Sequence, residues 1–191
     1  MRRFLTLTAA AVAMTVAAGA SQAEPLRIGT EGAYPPFNNL TADGKLVGFD
    51  IDIANALCDE MKVECVFVTQ DWDGIIPALQ AGKFDAIIAS MSITDERKKK
   101  VDFSEKYYNT PPAIAVPKDS DITGVDARAL AGKTVGAQSS TTHSNYAETT
   151  YTDSDLRMYP TADEYKLDLA NGRLDAVTDD VTVLEEWVNS E

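Results

Sequence analysis

Leu79, Gly82, Lys83, Asp85 and Ala86 recur ninety positions later as Leu169, Gly172, Arg173, Asp175 and Ala176. Each set reads as a helix end, a glycine stop, a basic residue and the start of a buried strand. Such a junction is either a common way of joining helix to strand or the mark of two units with one architecture. If the units match, Ser90 and Asp180 occupy equivalent places just past the C-terminal ends of their strands, the edge at which open α/β sheets bind ligands.

The pattern around the echo alternates strand and helix. Leu26 to Gly29 predicts a strand. Asp50 to Met61 predicts a helix with Ile53, Leu57 and Met61 on one face, and Cys65 to Thr69 a β-branched and aromatic strand. Gly74 to Ala81 reads as a short helix stopped by Gly82, and Asp85 to Ala89 as an apolar run suited to a parallel sheet buried on both faces. Tyr107 to Pro117, with the pair Pro111-Pro112, reads as an extended connector. A second α/β series follows, with strands at 134–136, 156–159 and 173–178 and helices at 142–150, 162–171 and 181–188. Thr161 and Glu164 have capping-box spacing at the start of the second of these helices.

The first 23 residues have the layout of a secretory signal: Arg2 and Arg3, a short apolar run from Leu5 to Ala20, and the small-x-small triplet Ser21-Gln22-Ala23. Export with cleavage after Ala23 is the expectation, since the run falls short of the roughly 20 strongly apolar residues of a membrane span. Removing the two arginines leaves 15 basic against 30 acidic residues, a surface that makes nucleic acid a poor partner. Acidity alone is compatible with disorder, but 45% hydrophobic residues arranged in short blocks argue for packed cores. In an exported chain, Cys58 and Cys65 are compatible with a disulfide, with two buried thiols or with a metal site, though a single distant histidine, His143, makes zinc a poor fit. A disulfide closing so short a loop stabilises by about 2.5 kcal/mol in the chain-entropy treatment.

The chemistry sits at the predicted strand ends. Ser90-Met91-Ser92-Ile93-Thr94 leads into Asp95-Glu96-Arg97, bringing hydroxyls, a helix start and a guanidinium together, as a carboxylate receptor requires. Gln138-Ser139-Ser140-Thr141-Thr142 forms a second donor loop at another helix start, and Asp180 is an acceptor suited to an ammonium group. Donors for a carboxylate on one unit and an acceptor for an ammonium on the other describe a site for an α-amino acid. The plainer readings are helix caps for the hydroxyls and a solvated Arg97 beside Lys98, Lys99 and Lys100.

The runs Gly48-Phe49-Asp50-Ile51-Asp52-Ile53-Ala54, Asp73-Gly74-Ile75-Ile76-Pro77-Ala78-Leu79 and Ser90-Met91-Ser92-Ile93-Thr94 with Arg97 resemble the polar amino-acid family of periplasmic solute-binding proteins. The likeness is nearest to its histidine- and lysine/arginine/ornithine-binding branch and extends over the chain after the signal. It implies a two-lobed periplasmic-binding-protein type II α/β fold, with lobe 1 at 24–110, a hinge at 111–117 and lobe 2 at 118–191. It also implies a monomeric, non-catalytic carrier, without cofactor or metal, that delivers free amino acids to the permease of an ABC importer. The Cys58/Cys65 spacing matches a disulfide of that branch. By position, Arg97 matches the arginine on the ligand carboxylate with Ser92 and Thr142 in support, while Ser90 and Asp180 match the groups that receive the ammonium. Tyr34 and Trp72 match residues sandwiching the ligand side chain, and Glu31 stands where the cationic-ligand binders carry an aspartate.

A cationic ligand is therefore expected: arginine, lysine, ornithine, histidine or a related opine, with a neutral amino acid as fallback. The plainer reading of Tyr34 and Trp72 is core packing. Ala89 departs from a serine common in relatives. The family's chain also crosses back to complete its first lobe, a return this sequence does not contain, so an incomplete first lobe with exposed apolar surface is expected. Two other functions fit the fold. A dehydratase-like enzyme is one, although no Cys–His or Ser–His pairing stands out; the ligand-binding domain of a sensory receptor is the other.

Overall fold

The computed structural model describes residues 24–190; the expected signal and its cleavage site lie outside them. In chain order the elements of the first unit are β1 (Leu26–Thr30), β2 (Ala33–Tyr34), β3 (Asn38–Leu40), β4 (Leu46–Val47), α1 (Phe49–Met61), β5 (Cys65–Thr69), a 3-10 turn at Trp72–Gly74, α2 (Ile75–Gln80), β6 (Ala86–Ile87) and α3 (Asp95–Lys98). Those of the second are β7 (Pro112–Ala115), α4 (Ala127–Leu130), β8 (Thr134–Gln138), α5 (Thr142–Thr150), β9 (Asp155–Tyr159), α6 (Ala162–Ala170), β10 (Ala176–Asp180) and α7 (Val181–Ser190). No described helix is long and apolar enough to cross a membrane.

A parallel sheet of order β5-β1-β6 and a mixed sheet of order β7-β10-β8-β9 form the two units, and a small antiparallel meander, β2-β3-β4, projects from the first. The echoed residues do the same work in both sheets. Asp85 accepts from the backbone N–H of Arg27 in β1 at 2.9 Å, and Asp175 accepts from that of Thr134 in β8 at 2.7 Å. The stops Gly82 and Gly172 hold φ of 71° and 68°, left-handed values that favour glycine. The match goes deeper than the sequence suggested. A Cβ on Gly29 would fall 2.5 Å from the Phe84 ring, and one on Gly136 would fall 2.5 Å from Leu174 Cδ1. Phe84 and Leu174 are themselves ninety positions apart in the chain.

Those two glycines let a buried side chain lie directly on the central strand. Because Phe84 is 1% exposed and has no room to retreat, Gly29→Ala is expected to destabilise by about 1–3 kcal/mol through overpacking. Urea denaturation reads this directly, and an unchanged midpoint would contradict the packing assigned here.

Four expectations differ from the structure, one being that the strand read at 173–178 is β10 at Ala176–Asp180, so that Asp180 is its last residue. Helix α1 buries Asp50, Ile51, Ala54 and Cys58, while Leu57 and Met61 are half exposed. The apolar face read from Ile53, Leu57 and Met61 is thus not the packed one. Two tethers fix the helix rotation, the disulfide from Cys58 to Cys65 in β5 and the hydrogen bonds of Asp50, and both outrank a few methyl groups of burial. Strand β6 covers only Ala86–Ile87 of the expected Asp85 to Ala89, and the chain takes a left-handed φ of 52° at Ser90. Residues 112–115 of the expected connector form a strand pairing antiparallel with β10, with Pro112 at its first position, where a missing N–H is tolerated. Elsewhere α5 starts and ends at the expected residues, and Thr161 N–H donates to Glu164 as the capping box requires.

One core crosses between the units. Tyr34 and Phe37 of the meander pack with Tyr165, Leu169, Val177, Val183 and Leu184 of the second unit. Tyr108 stacks on Phe37 with ring centroids 4.8 Å apart, which ties the connector to that core.

Candidate functional site

All ten residues singled out in the sequence line one cleft between the units: Glu31, Tyr34, Trp72, Ser90, Ser92, Arg97, Gln138, Thr141, Thr142 and Asp180. Ala89 and His143 complete the lining. The cleft lies at the C-terminal ends of β1, β8 and β10, where strand ends and helix starts leave backbone groups free to meet a ligand.

On one wall Arg97 is held rather than solvated. Its guanidinium donates to the carbonyls of Ser92 at 2.9 Å and Ser140 at 3.0 Å and lies 5.2 Å from the centroid of the Trp72 ring. Trp72 Nε1 donates to the same Ser140 carbonyl at 3.2 Å, so the indole stacks against the guanidinium and fixes its plane. Trp72 was expected as half of a ligand sandwich; its ring face toward Arg97 is already occupied. Burial lowers the Arg97 pKa, and no described carboxylate pairs with it. A guanidinium has five N–H donors, two are used, and the rest are available to an anion. Beside it begins α5, whose first-turn N–H groups at Thr142 and His143 favour negative charge. Thr141 lines the cleft, but its hydroxyl caps that helix, accepting from Ser144 N–H at 3.0 Å and donating to the Gln138 carbonyl at 2.8 Å.

Acid gathers on the opposite wall. Asp179 and Asp180 end β10, both buried. Tyr34 donates to Asp179 at 2.5 Å and Tyr165 donates to its other oxygen, while Tyr34 also reaches Asp180 at 3.0 Å. His143 Nε2 lies 3.2 Å from Asp180 and 3.6 Å from Asp179. Burial pushes the Asp179 carboxyl up, against the pull of His143 and the tyrosine hydroxyls. Burial acts to lower the imidazole pKa, but the Asp180 bond and the two carboxylates outweigh it and raise it. Neither Asp179 nor His143 is marked as a site residue by the sequence. A polar residue in the first turn of the helix that opens the donor loop was the available signal for His143.

A buried layer beneath sets the shape of the loops. Asp50, fully buried, accepts from Asn38 at 2.8 Å, Ser90 at 2.8 Å and Tyr107 at 2.6 Å. Asn38 in turn accepts from Gly32 N–H at 2.8 Å, which anchors the turn after Glu31. Because its O–H is donated to Asp50, the Ser90 hydroxyl, which lines the cleft, has only lone pairs left to offer there. The bond also holds Ser90 in its left-handed conformation, which is costly for a non-glycine residue.

At the far end Gln138 donates from its side-chain amide to Glu31 at 2.6 Å and to the Pro160 carbonyl at 2.9 Å, crossing between the units. Burial raises the Glu31 pKa to about 7, only partly offset by the Gln138 bond and reinforced by nearby aspartates.

Two α/β units meet at a cleft that carries a guanidinium and carboxylates, a two-lobed arrangement suited to enclosing a small charged solute. The family described as bacterial extracellular solute-binding proteins, family 3, matches residues 26–190, and the chain belongs to it. An L-arginine-binding protein of Pseudomonas aeruginosa is 48% identical over 165 residues, covering 85% of this chain and 63% of that protein, so the chain spans less than two thirds of that relative's length. Among solved structures, an ancestral arginine-binding protein bound to arginine superposes with a TM-score of 0.84 at 41% identity, covering 88% of this chain and 75% of that one. An ancestral amino acid-binding protein described as a precursor of cyclohexadienyl dehydratase superposes with a TM-score of 0.82 at 38% identity, covering 86% of this chain and 74% of that one.

Proposed function

We propose that this protein is the periplasmic receptor of an ABC importer and captures a cationic amino acid, arginine first among candidates, by closing two lobes around it without chemical conversion. The observation that carries the reading is a half-buried guanidinium with no described acid partner, lining the same cleft as the Asp180 carboxylate. The ligand carboxylate takes the free donors of Arg97, the N–H groups at the start of α5 and the hydroxyls of Ser92 and Thr142. The ligand ammonium takes Asp180 and the lone pairs of Ser90. Glu31 and the edge of Trp72 are left for the side chain, and Tyr34 acts mainly by holding the two aspartates in place.

Trp72 and Trp187 are the only tryptophans, so their fluorescence during titration with arginine, lysine, ornithine, histidine, glutamine and glutamate tests the ligand class. A preference for glutamate would overturn the cationic assignment. Likeness to a dehydratase precursor gives the enzymatic reading one specific support. Incubation with prephenate or arogenate separates the two, because a binding protein returns them unchanged.

Glu31 gives the cationic preference a pH signature. A free carboxyl with a pKa of about 7 is half protonated at neutral pH, and a guanidinium or ammonium beside it favours the ionised form. Arginine binding therefore expels a proton at and below that pH, and affinity falls as pH drops through about 7, by roughly tenfold per unit further down. Measured as the difference between arginine and glutamine profiles, this slope is expected to vanish in Glu31→Gln.

A further inference from the structure

Asp179 and Asp180 are adjacent carboxylates buried at the end of β10, 2% and 9% exposed. Two buried acids side by side repel, and each has lost most of its hydration, so a cation within reach is strongly favoured. Around them the second unit offers Tyr165 and, more distantly, Lys166 on α6; the first unit offers the Tyr34 hydroxyl, the acid Glu31 and the Tyr108 phenol. Among the described residues, the one basic group within ion-pair distance of either carboxylate is His143, on the first turn of α5. Its imidazole lines the same cleft as Arg97.

We propose that His143 is a built-in stand-in for the ligand: protonated in the free protein, its imidazolium occupies Asp180 where the α-ammonium of an amino acid must sit, and binding displaces it with release of one proton to solvent. The inference rests on the amino-acid reading above and deepens it. A +1 ammonium and a +1 imidazolium cannot both take the Asp180 oxygen now 3.2 Å from Nε2 without facing each other at close range. Neutral imidazole removes the repulsion and can turn a lone pair or an N–H toward the ligand. Charge at the acidic wall is then the same in both states, one cation against two carboxylates. Only amines able to replace that cation bind well, so His143 selects for a free α-ammonium.

The chain has a single histidine, so in a tag-free preparation the imidazole C–H resonances in NMR report His143 alone. In the free protein the ring is expected to titrate above the ordinary histidine value of about 6.5. Saturating arginine, with binding followed independently by tryptophan fluorescence, is expected to lower that midpoint by about one pH unit or more. Asp180→Asn is expected to lower it without ligand, and calorimetry in buffers of different ionisation enthalpy should show His143→Gln releasing about one proton fewer per arginine near the wild-type midpoint. Should the aspartate variant not fold, the comparison of free and saturated wild-type protein still decides. Binding that leaves the histidine titration unmoved would overturn this inference and leave the proposed function standing, whereas absence of binding by any amino acid would overturn both.

Discussion

Arg97→Ala is expected to weaken amino-acid binding by at least a hundredfold. In the proposed function the guanidinium supplies two charge-assisted hydrogen bonds to a ligand carboxylate, worth about 1.5–3 kcal/mol each, and about 1.4 kcal/mol corresponds to tenfold in affinity. Removing it also leaves the Ser92 and Ser140 carbonyls and the Trp72 face without the group that joins them across the cleft, so the free protein loses part of its closing contacts. Arg97→Lys keeps the charge and loses the planar fork, so an intermediate loss is expected. Fluorescence titration reads both, and wild-type affinity in the alanine variant would remove the basis for the proposed function.

A second large effect is expected at Asp50, which touches the ligand site only through others. Asp50→Ala leaves the Asn38 amide, the Ser90 hydroxyl and the Tyr107 phenol without their shared acceptor, and each unsatisfied buried group costs about 1–3 kcal/mol. A loss on the order of 3–5 kcal/mol, after some relaxation, is a large fraction of the stability of an ordinary domain. Urea denaturation should show it as a lower midpoint, with Asp50→Asn milder because the residue keeps its volume and one acceptor. The same variants should bind more weakly, because Ser90 loses its support and the Glu31 turn its anchor. A stable Asp50→Ala protein with unaltered binding would mean that water replaces the carboxylate.

Local patterns announced the two matching units well, and the reason is visible in particular residues. Asp85 and Asp175 cap neighbouring strands, and Gly82 and Gly172 stop helices. These tasks are set within a few bonds of the residue, so composition and spacing record them. The residues that line the cleft were legible for a related reason: Ser90, Arg97, Gln138, Thr142 and Asp180 stand at junctions between strands and helices, and a parallel sheet brings such junctions to one edge. Rotation of α1 was not legible, because Leu57 and Met61 have the right spacing for a core face and lose to tethers formed with residues distant in sequence. That Trp72 lies against Arg97 was not legible, since which face of a ring is occupied depends on a neighbour twenty-five positions away.

By itself, then, the sequence determined an alternating α/β chain with a repeated helix-to-strand junction, and the residue types suited to hold a zwitterion. Tertiary structure decided how those types are coupled. It set His143 against Asp180, buried Asp50 as the common acceptor of three loops, placed Tyr34 as a brace for two carboxylates and pushed Glu31 to about pH 7. The division follows from range: propensity and capping act over a few residues, whereas burial and charge pairing depend on which distant groups share a dry space, and only the folded chain fixes that.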